Sequence, residues 1–221
     1  MRRDFEAKLA ELRARLSRMI ELEHPYSYRS PKSGIPASVL LLLSAGDSTE
    51  PVDDTVEFLL TRRTEQVEKH KGQYALPGGI QDPEDADVIA AALRENEEEM
   101  GIPRETVEAI GCLPPLWTPT GFLVTPVLGM LRQPRENVRI QPNAAEIDVW
   151  LWCDLLRLNA PGIYRAEERE IEFEGKLIRA PIDVFEVDTH RIWGVTGAIL
   201  KNFMERWQLS EGTSSASLRR I

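Results

Sequence analysis

Cysteine is scarce: the 221 residues hold two, Cys112 and Cys153, with no CxxC pair and no Cys/His grouping. That excludes a disulfide framework and a zinc site, and both thiols are expected in the core. Long apolar runs are lacking too. The longest, Ile35 to Ala45, is broken by Pro36 and Ser38 and falls well short of the roughly 18 residues a membrane helix needs. Positive charge is in deficit: 27 Lys plus Arg against 36 Asp plus Glu give a net charge of −9. Such a field repels nucleic acid and admits a small anion only where local cations or bound metal ions reverse it. Behind Met1-Arg2-Arg3 stand Asp4, Glu6 and Glu11, where a secretion signal needs an apolar stretch. The expectation is a cytoplasmic chain with neither a nucleic-acid nor a membrane partner.

What is present is an ordinary globular composition, 42% hydrophobic and 29% charged, enough to bury a real core. The length suggests one domain with extensions. Phe5, Leu9, Leu12, Leu16 and Ile20 recur at helical spacing, which predicts an amphipathic helix over about Asp4 to Glu23. Its apolar stripe needs a cover, either the domain's own flank or a second copy in a homodimer. Pro25, Pro31, Gly34 and Pro36 mark a linker. The run Val39 to Leu43 reads as a buried strand, Gly46 to Asp54 as a polar loop, and Val56 to Arg62 as the second arm of a hairpin.

A helix follows Leu76-Pro77-Gly78-Gly79, capped by Asp85 or Asp87, with Val88, Ile89, Ala92 and Leu93 on its apolar face and Gly101 as its stop. Further strands are expected at Val124 to Leu131, Val149 to Trp152, Ile171 to Phe173 and Ile182 to Val187, and a last helix over about Trp193 to Trp207. The hairpins argue against a purely parallel sheet and for a mixed α/β sandwich. The division is an N-terminal helix and linker (1–34), a main domain (35–209) and a flexible tail (210–221).

The chemistry lies in Arg94-Glu95-Asn96-Glu97-Glu98-Glu99. Glu95, Glu98 and Glu99 stand at i, i+3 and i+4, so three carboxylates share one helix face, late in the helix where negative charge is disfavoured. An acidic run alone is usually a solvated face, and Arg94 can pair with Glu98 one turn on. Here, however, the face is framed by a Gly-Gly turn before the helix and Gly101 after it. A hard divalent cation such as Mg²⁺ or Mn²⁺ would relieve both penalties and leave positions for substrate phosphates. Glu97 points elsewhere and is expected in solvent.

Gly79, Arg94-Glu95, Glu98-Glu99 and Gly101-Ile102 together resemble the Nudix hydrolase signature GX5EX7REUXEEXGU, where U is a bulky aliphatic residue. One extra residue separates Gly79 from Arg94, Asp85 stands near the first glutamate position, and Asn96 occupies the aliphatic one. Gly78 to Asp85 resembles the coenzyme A pyrophosphatase branch in particular. So do Leu59 to Thr64, Val67 to Gln73, Leu76 to Gly79, Leu113 to Val127 and Ile192 to Thr196, and the resemblance covers about residues 35–205. Glu68 stands where that branch carries an arginine.

The resemblance implies a Nudix-like α/β/α sandwich with a mixed sheet, preceded by the N-terminal amphipathic helix. It also implies metal-dependent hydrolysis of a pyrophosphate bond in a small nucleotide. For coenzyme A the products would be 3′,5′-ADP and 4′-phosphopantetheine. Glu95 and Glu99 would be the principal Mg²⁺ or Mn²⁺ ligands, Glu98 a further ligand or the water-activating base, and the Gly79 carbonyl an additional ligand. Arg94 would orient a glutamate, and Glu146, in a downstream loop, is the alternative base. Arg63, Lys69, His70, Lys71 and Phe122 are the candidates for contact with substrate; alternation along a strand turns Arg62 and Arg63 to opposite faces. Trp117 and Phe122 are equally readable as base-stacking or core aromatics, and His190 as structural. Two alternatives stand beside this reading. One is a pyrophosphatase for ADP-ribose, dinucleotides or nucleoside diphosphate sugars, favoured by Glu68. The other is a non-catalytic ligand-binding module, against which the retained glutamates speak.

Overall fold

The computed structural model describes residues 2–22, 34–46, 55–65, 72–173 and 175–210. The linker after the first helix, most of the 46–54 loop, Glu68, Lys69, His70, Lys71 and the C-terminal tail lie outside these residues. Among the described residues no helix is long and apolar enough to cross a membrane.

In chain order the elements are α1 (Arg2–Glu21), β1 (Ile35–Ser44), β2 (Glu57–Arg63), β3 (Tyr74–Ala75), β4 (Gly78–Ile80), α2 (Val88–Met100), β5 (Val107–Cys112), β6 (Leu116–Trp117), β7 (Phe122–Leu131), β8 (Ile147–Asp154), α3 (Leu155–Leu158), β9 (Tyr164–Phe173), β10 (Lys176–Val187), β11 (His190–Trp193) and α4 (Gly194–Ser210). The main sheet runs β3-β2-β1-β7-β5, with β4 paired to β1, β6 to β7 and β8 to β2. Only β1 and β7 run parallel, Leu40 opposite Val127, among antiparallel neighbours. The sheet is therefore mixed, and the expected β1–β2 hairpin is present through Leu43↔Phe58 and Ser44↔Glu57. A smaller antiparallel sheet follows the order β11-β10-β9.

The four leucines of β1 explain the layering. Leu40 and Leu42 pack with Leu59, Ala92 and Met100 beneath α2. Leu41 and Leu43 pack with Leu12 and Leu16 of α1 and Leu200 and Phe203 of α4 on the other side. A strand buried on both faces needs a continuous apolar run rather than an alternating one, which is what Val39 to Leu43 supplies.

The stripe of α1 is covered by the domain itself: Leu9, Leu12, Leu16 and Met19 are buried in the same cluster as α4. The ends of the two helices are tied reciprocally. Buried Arg15 donates from Nη2 to the Trp207 carbonyl at 2.9 Å, its guanidinium carbon 3.5 Å from the Trp207 ring centre. Buried Arg206 donates from Nη1 to the carbonyls of Met19 and Leu22 at 2.7 and 2.8 Å. Each arginine thus satisfies carbonyls left without intrahelical partners at the other helix's C-terminus.

Several sequence expectations are corrected. α1 ends at Glu21, and α4 begins at Gly194 because Trp193 closes β11; α4 continues to Ser210, which the expected tail included. β9 and β10 are far longer than the short strands expected, and β3 to β6, β11 and α3 were missed. The two- and three-residue strands β3, β4 and β6 carry too little periodicity to read, and the six residues of β5 are broken near Gly111, where the pairing with β7 shifts register. Cys153 is buried, its thiol pushed up to about 12 chiefly by desolvation, but Cys112 is only half-buried.

Candidate active site

The acidic helix is fixed at both ends by local chemistry. Asp87 accepts from the backbone N–H groups of Ile89 and Ala90 at 2.9 and 2.8 Å, so it is the N-cap, while Asp85 serves elsewhere. Gly101 takes the left-handed conformation (φ 65°) and returns its N–H to the Glu97 carbonyl, a position that glycine fills without steric cost.

Arg94 is the hub of the acidic face. Nη1 reaches Glu95 and Glu98, each at 3.0 Å. Nε and Nη2 grip the two oxygens of Asp85 at 3.0 Å, and Nη2 also donates to the Ile80 carbonyl at 3.1 Å. The guanidinium hydrogen bonds hold Asp85 below the usual carboxylate range. Arg94 therefore contacts Glu95, Glu98 and Asp85 together and ties the helix to the loop in front of it.

Glu99 is 4% exposed. One oxygen accepts the Gly78 N–H at 3.2 Å and the other lies 3.8 Å from Arg63 Nη1. Burial pushes its carboxyl up to about 8; the Gly78 hydrogen bond and Arg63 oppose that rise, while Glu146 and Glu95 add to it. Glu95 is also shifted upward, first by burial, against the pull of Arg94 and with help from Glu98 and Glu146. Glu95, Glu98, Glu99 and Glu146 thus share one field.

Glu146 comes close through the end of α2. The Gln141 and Asn143 N–H groups donate to the Met100 and Glu99 carbonyls, both at 2.8 Å, so the helix C-terminus holds the loop. Asn143 then donates to Glu146 at 3.1 Å, and the Glu146 carbonyl accepts from Thr64 at the end of β2.

Gly79 completes the group from β4. A Cβ there would lie 2.4 Å from Glu95 Oε1, so the carboxylate rests where any side chain would begin. The donor set, carboxylate oxygens beside an exposed backbone turn, suits a hard divalent cation. Among the described residues, however, no three such side chains are already drawn into one ligand shell; Arg94 occupies the space between Glu95 and Glu98.

The remaining candidates divide. Arg63 joins the cluster through Glu99, whereas Arg62 is held by Asp148 at 2.8 and 3.0 Å, and the pairing of β2 with β8 shifts register between the two. Phe122 is half-buried and packs against the core shared by α1 and α4, and Trp117 is half-buried in β6. Glu97 is corrected: it is bound by Arg104 Nε at 2.8 Å and is not simply solvated. Asn96 is fully buried, and neither amide atom has a hydrogen-bond partner. Lys69, His70 and Lys71 fall outside the described residues. Sequence reasoning missed Asp85 as the partner of Arg94 and the Gly78 N–H on Glu99. The first carried a signal, an acid nine residues before the arginine across a turn; the second carried none.

A family model, that of the NUDIX domain, matches residues 36–174. A protein of Citrobacter koseri described as an uncharacterized Nudix hydrolase NudL is 38% identical over 144 residues, 65% of this chain and 71% of its own length. A namesake in Escherichia coli is 41% identical over 146 residues, 62% of each chain, and one in Photorhabdus laumondii is 34% identical over 152 residues, 69% of this chain and 78% of its own. The match thus spans under two thirds of the Escherichia coli relative. Among solved structures, a Nudix hydrolase from M. smegmatis, RenU, is similar at 21% identity and a TM-score of 0.46, over 57% of this chain and 74% of that one. An Ap4A hydrolase of C. elegans is similar at 25% identity and a TM-score of 0.41, over 54% and 80%.

Proposed function

Since the chain belongs to the Nudix family, we propose that it is a pyrophosphohydrolase acting on a small nucleotide, with coenzyme A or an acyl derivative as substrate. The observation that carries this reading is the shared field of Glu95, Glu98, Glu99 and Glu146 beside the Gly78-Gly79 turn, where Glu95 rests against Gly79 and Glu99 accepts the Gly78 N–H. A buried carboxylate such as Glu99 costs stability when ionised without a cation, so a fold that keeps it implies a use for its charge.

Glu95 and Glu99 would be the principal holders of Mg²⁺ or Mn²⁺, with Glu98 and the Gly79 carbonyl as further ligands. The cation supplies neutralisation of the pyrophosphate oxygens and a lowered pKa for bound water. Arg94 keeps the carboxylates oriented between Asp85 and the Ile80 carbonyl. Glu98, 59% exposed and held by Arg94, would take a proton from water, and Glu146 is the alternative base. Arg63 stands beside Glu99 where a phosphate oxygen would approach, and Lys69, His70 and Lys71 are further candidates for that role.

The test is a chromatographic product assay with coenzyme A, ADP-ribose, NADH and a nucleoside diphosphate sugar, each with Mg²⁺, Mn²⁺ or chelator. Metal-dependent release of 3′,5′-ADP chiefly from coenzyme A is the expected result. Preference for another substrate would overturn the coenzyme A assignment, and no cleavage of any would overturn the reaction.

A further inference from the structure

Among the described residues, four buried side-chain polar atoms find no hydrogen-bond partner in the protein: Ser38 Oγ, Arg63 Nε and the two amide atoms of Asn96. Native interiors leave few such atoms, and each calls for a partner. These are not scattered. Asn96 follows Glu95 directly and stands three residues before Glu99. Arg63 Nη1 lies 3.8 Å from Glu99. Ser38 is the register partner of Gly79, and its neighbour Val39 that of Gly78, the turn against which Glu95 and Glu99 rest.

Asn96 and Ser38 also share one layer. Ala92 and Met100, one turn to either side of Asn96 on α2, are buried with Leu40 and Leu42 of β1. Ser38 has the parity of those leucines, so strand alternation turns it toward α2. Both residues are 0% exposed, which closes them to any outside ligand, and the leucines, alanine and methionine around them supply neither donor nor acceptor. An orphaned amide there costs stability, whereas a leucine of the same shape does not. The Nudix signature that this helix resembles has a bulky aliphatic residue at this position, so the amide is a departure that packing alone does not explain. Water is the polar group small enough to satisfy it. An amide offers two donors and an acceptor, and a hydroxyl one donor and two lone pairs, so one water between them can make the roughly three bonds that buried waters make.

Resting on the metal-dependent reaction proposed above, we propose that Asn96 and Ser38 hold a buried water between α2 and β1, and that Asn96 is thereby a positioning residue for Glu95 and Glu99. The bridge ties the acidic turn of the helix to the strand on which the Gly78-Gly79 segment is paired. It fixes the carboxylates relative to the Gly79 carbonyl, the groups assigned above to the cation. Supporting hydrogen bonds behind metal ligands change metal affinity by about 10- to 100-fold.

The test uses the full chain, first with chelator and then with Mn²⁺ alone. A crystal structure of the metal-free protein is expected to show one ordered water within hydrogen-bond distance of both side chains. In thermal unfolding without metal, Asn96→Leu and Ser38→Ala should each lower Tm, and the double variant should fall no further than the worse single one, because either change already breaks the bridge. Mn²⁺ titrated by electron paramagnetic resonance should bind at least about tenfold more weakly to Asn96→Leu. Asn96→Ser, which leaves a hydroxyl and room for a further water, should restore most of that affinity. Ser38→Ala gives the same reading should Asn96→Leu fail to fold. No water at these side chains, an Asn96→Leu variant as stable as the parent, additive losses of Tm, or Mn²⁺ affinity indifferent to both positions overturns the inference. Turnover of a pyrophosphate together with such indifferent affinity would sink this inference alone. Asn96-dependent Mn²⁺ binding without turnover of any substrate would sink the reaction alone, and a parent chain that binds no Mn²⁺ would overturn both.

Discussion

Replacing each glycine of the Gly78-Gly79 turn by alanine separates the chemistry of the site from the stability of the fold. At Gly79 the new Cβ would lie 2.4 to 2.7 Å from the Glu95 carboxyl atoms. Ordinary contact is about 3.5 Å, so the carboxylate must retreat by about 1 Å. The obstacle is the far end of a side chain, which can turn away. The turn gives up the 3.0 Å pairing of Glu95 with Arg94, about 0.5–1 kcal/mol for a partly exposed pair. Replacing glycine without a backbone conflict returns about 0.4–1 kcal/mol through the unfolded state. The two nearly cancel, and Tm should move by no more than about 4 °C. Catalysis should not be spared, because a misplacement of about 1 Å at a reacting centre costs on the order of 100-fold.

At Gly78 the Cβ would lie 2.3 Å from the Ser38 carbonyl oxygen and 2.6 Å from Val39 Cα. That is backbone of a central strand, and Gly78 sits at φ 154°. Relief requires β4 to leave β1, at a cost of about 3 kcal/mol, or roughly 6–12 °C in Tm. Differential scanning calorimetry and turnover on the accepted pyrophosphate substrate read both quantities. Full turnover in Gly79→Ala, or a loss of Tm equal to that of Gly78→Ala, would refute the reasoning.

Four further outcomes are expected. Glu99→Gln should keep the fold, since the amide oxygen can still accept the Gly78 N–H, and lose more than about 100-fold in turnover; near-normal activity in a steady-state assay would remove Glu99 from the metal ligands. Arg206→Met should cost about 3 kcal/mol in urea unfolding by stranding the Met19 and Leu22 carbonyls, and a change under 1 kcal/mol would show that water replaces the guanidinium. The Arg13–Glu108 pair, 2.6 Å at both contacts, holds the Glu108 carboxyl below its ordinary value of 4.5. Its stabilisation is therefore complete above that value and fades as pH falls through the lowered one; Arg13→Ala should lower Tm at pH 7 and converge with the parent in stronger acid. Glu68→Arg should lower KM for coenzyme A, with an unchanged or higher KM ruling out that position as a recognition site.

Whatever depends on neighbours along the chain was legible before any fold was known. Asp87 and Gly101 bound α2 because a cap needs a side chain two or three residues from its target and a residue tolerant of the left-handed conformation. Glu95, Glu98 and Glu99 share a face because 3.6 residues make a turn, and the leucine run of β1 announced a strand buried on both sides.

Tertiary structure alone decided what comes from far away in the chain. Glu146 is drawn to the carboxylates by the unpaired carbonyls at the end of α2, and no local pattern marks which loop will satisfy them. The upward shift of Glu99 to about 8 arises chiefly from burial, opposed by Gly78 of β4 and Arg63 of β2 and reinforced by Glu146 and Glu95. Asp85 became the partner of Arg94, and His190 part of a pocket assembled from β2, β3, β8 and β11. Sequence determined the helix, its charges and its caps because those interactions close within a few residues. The dielectric, the neighbours and the shape around them were decided by contacts that exist only once distant strands have met.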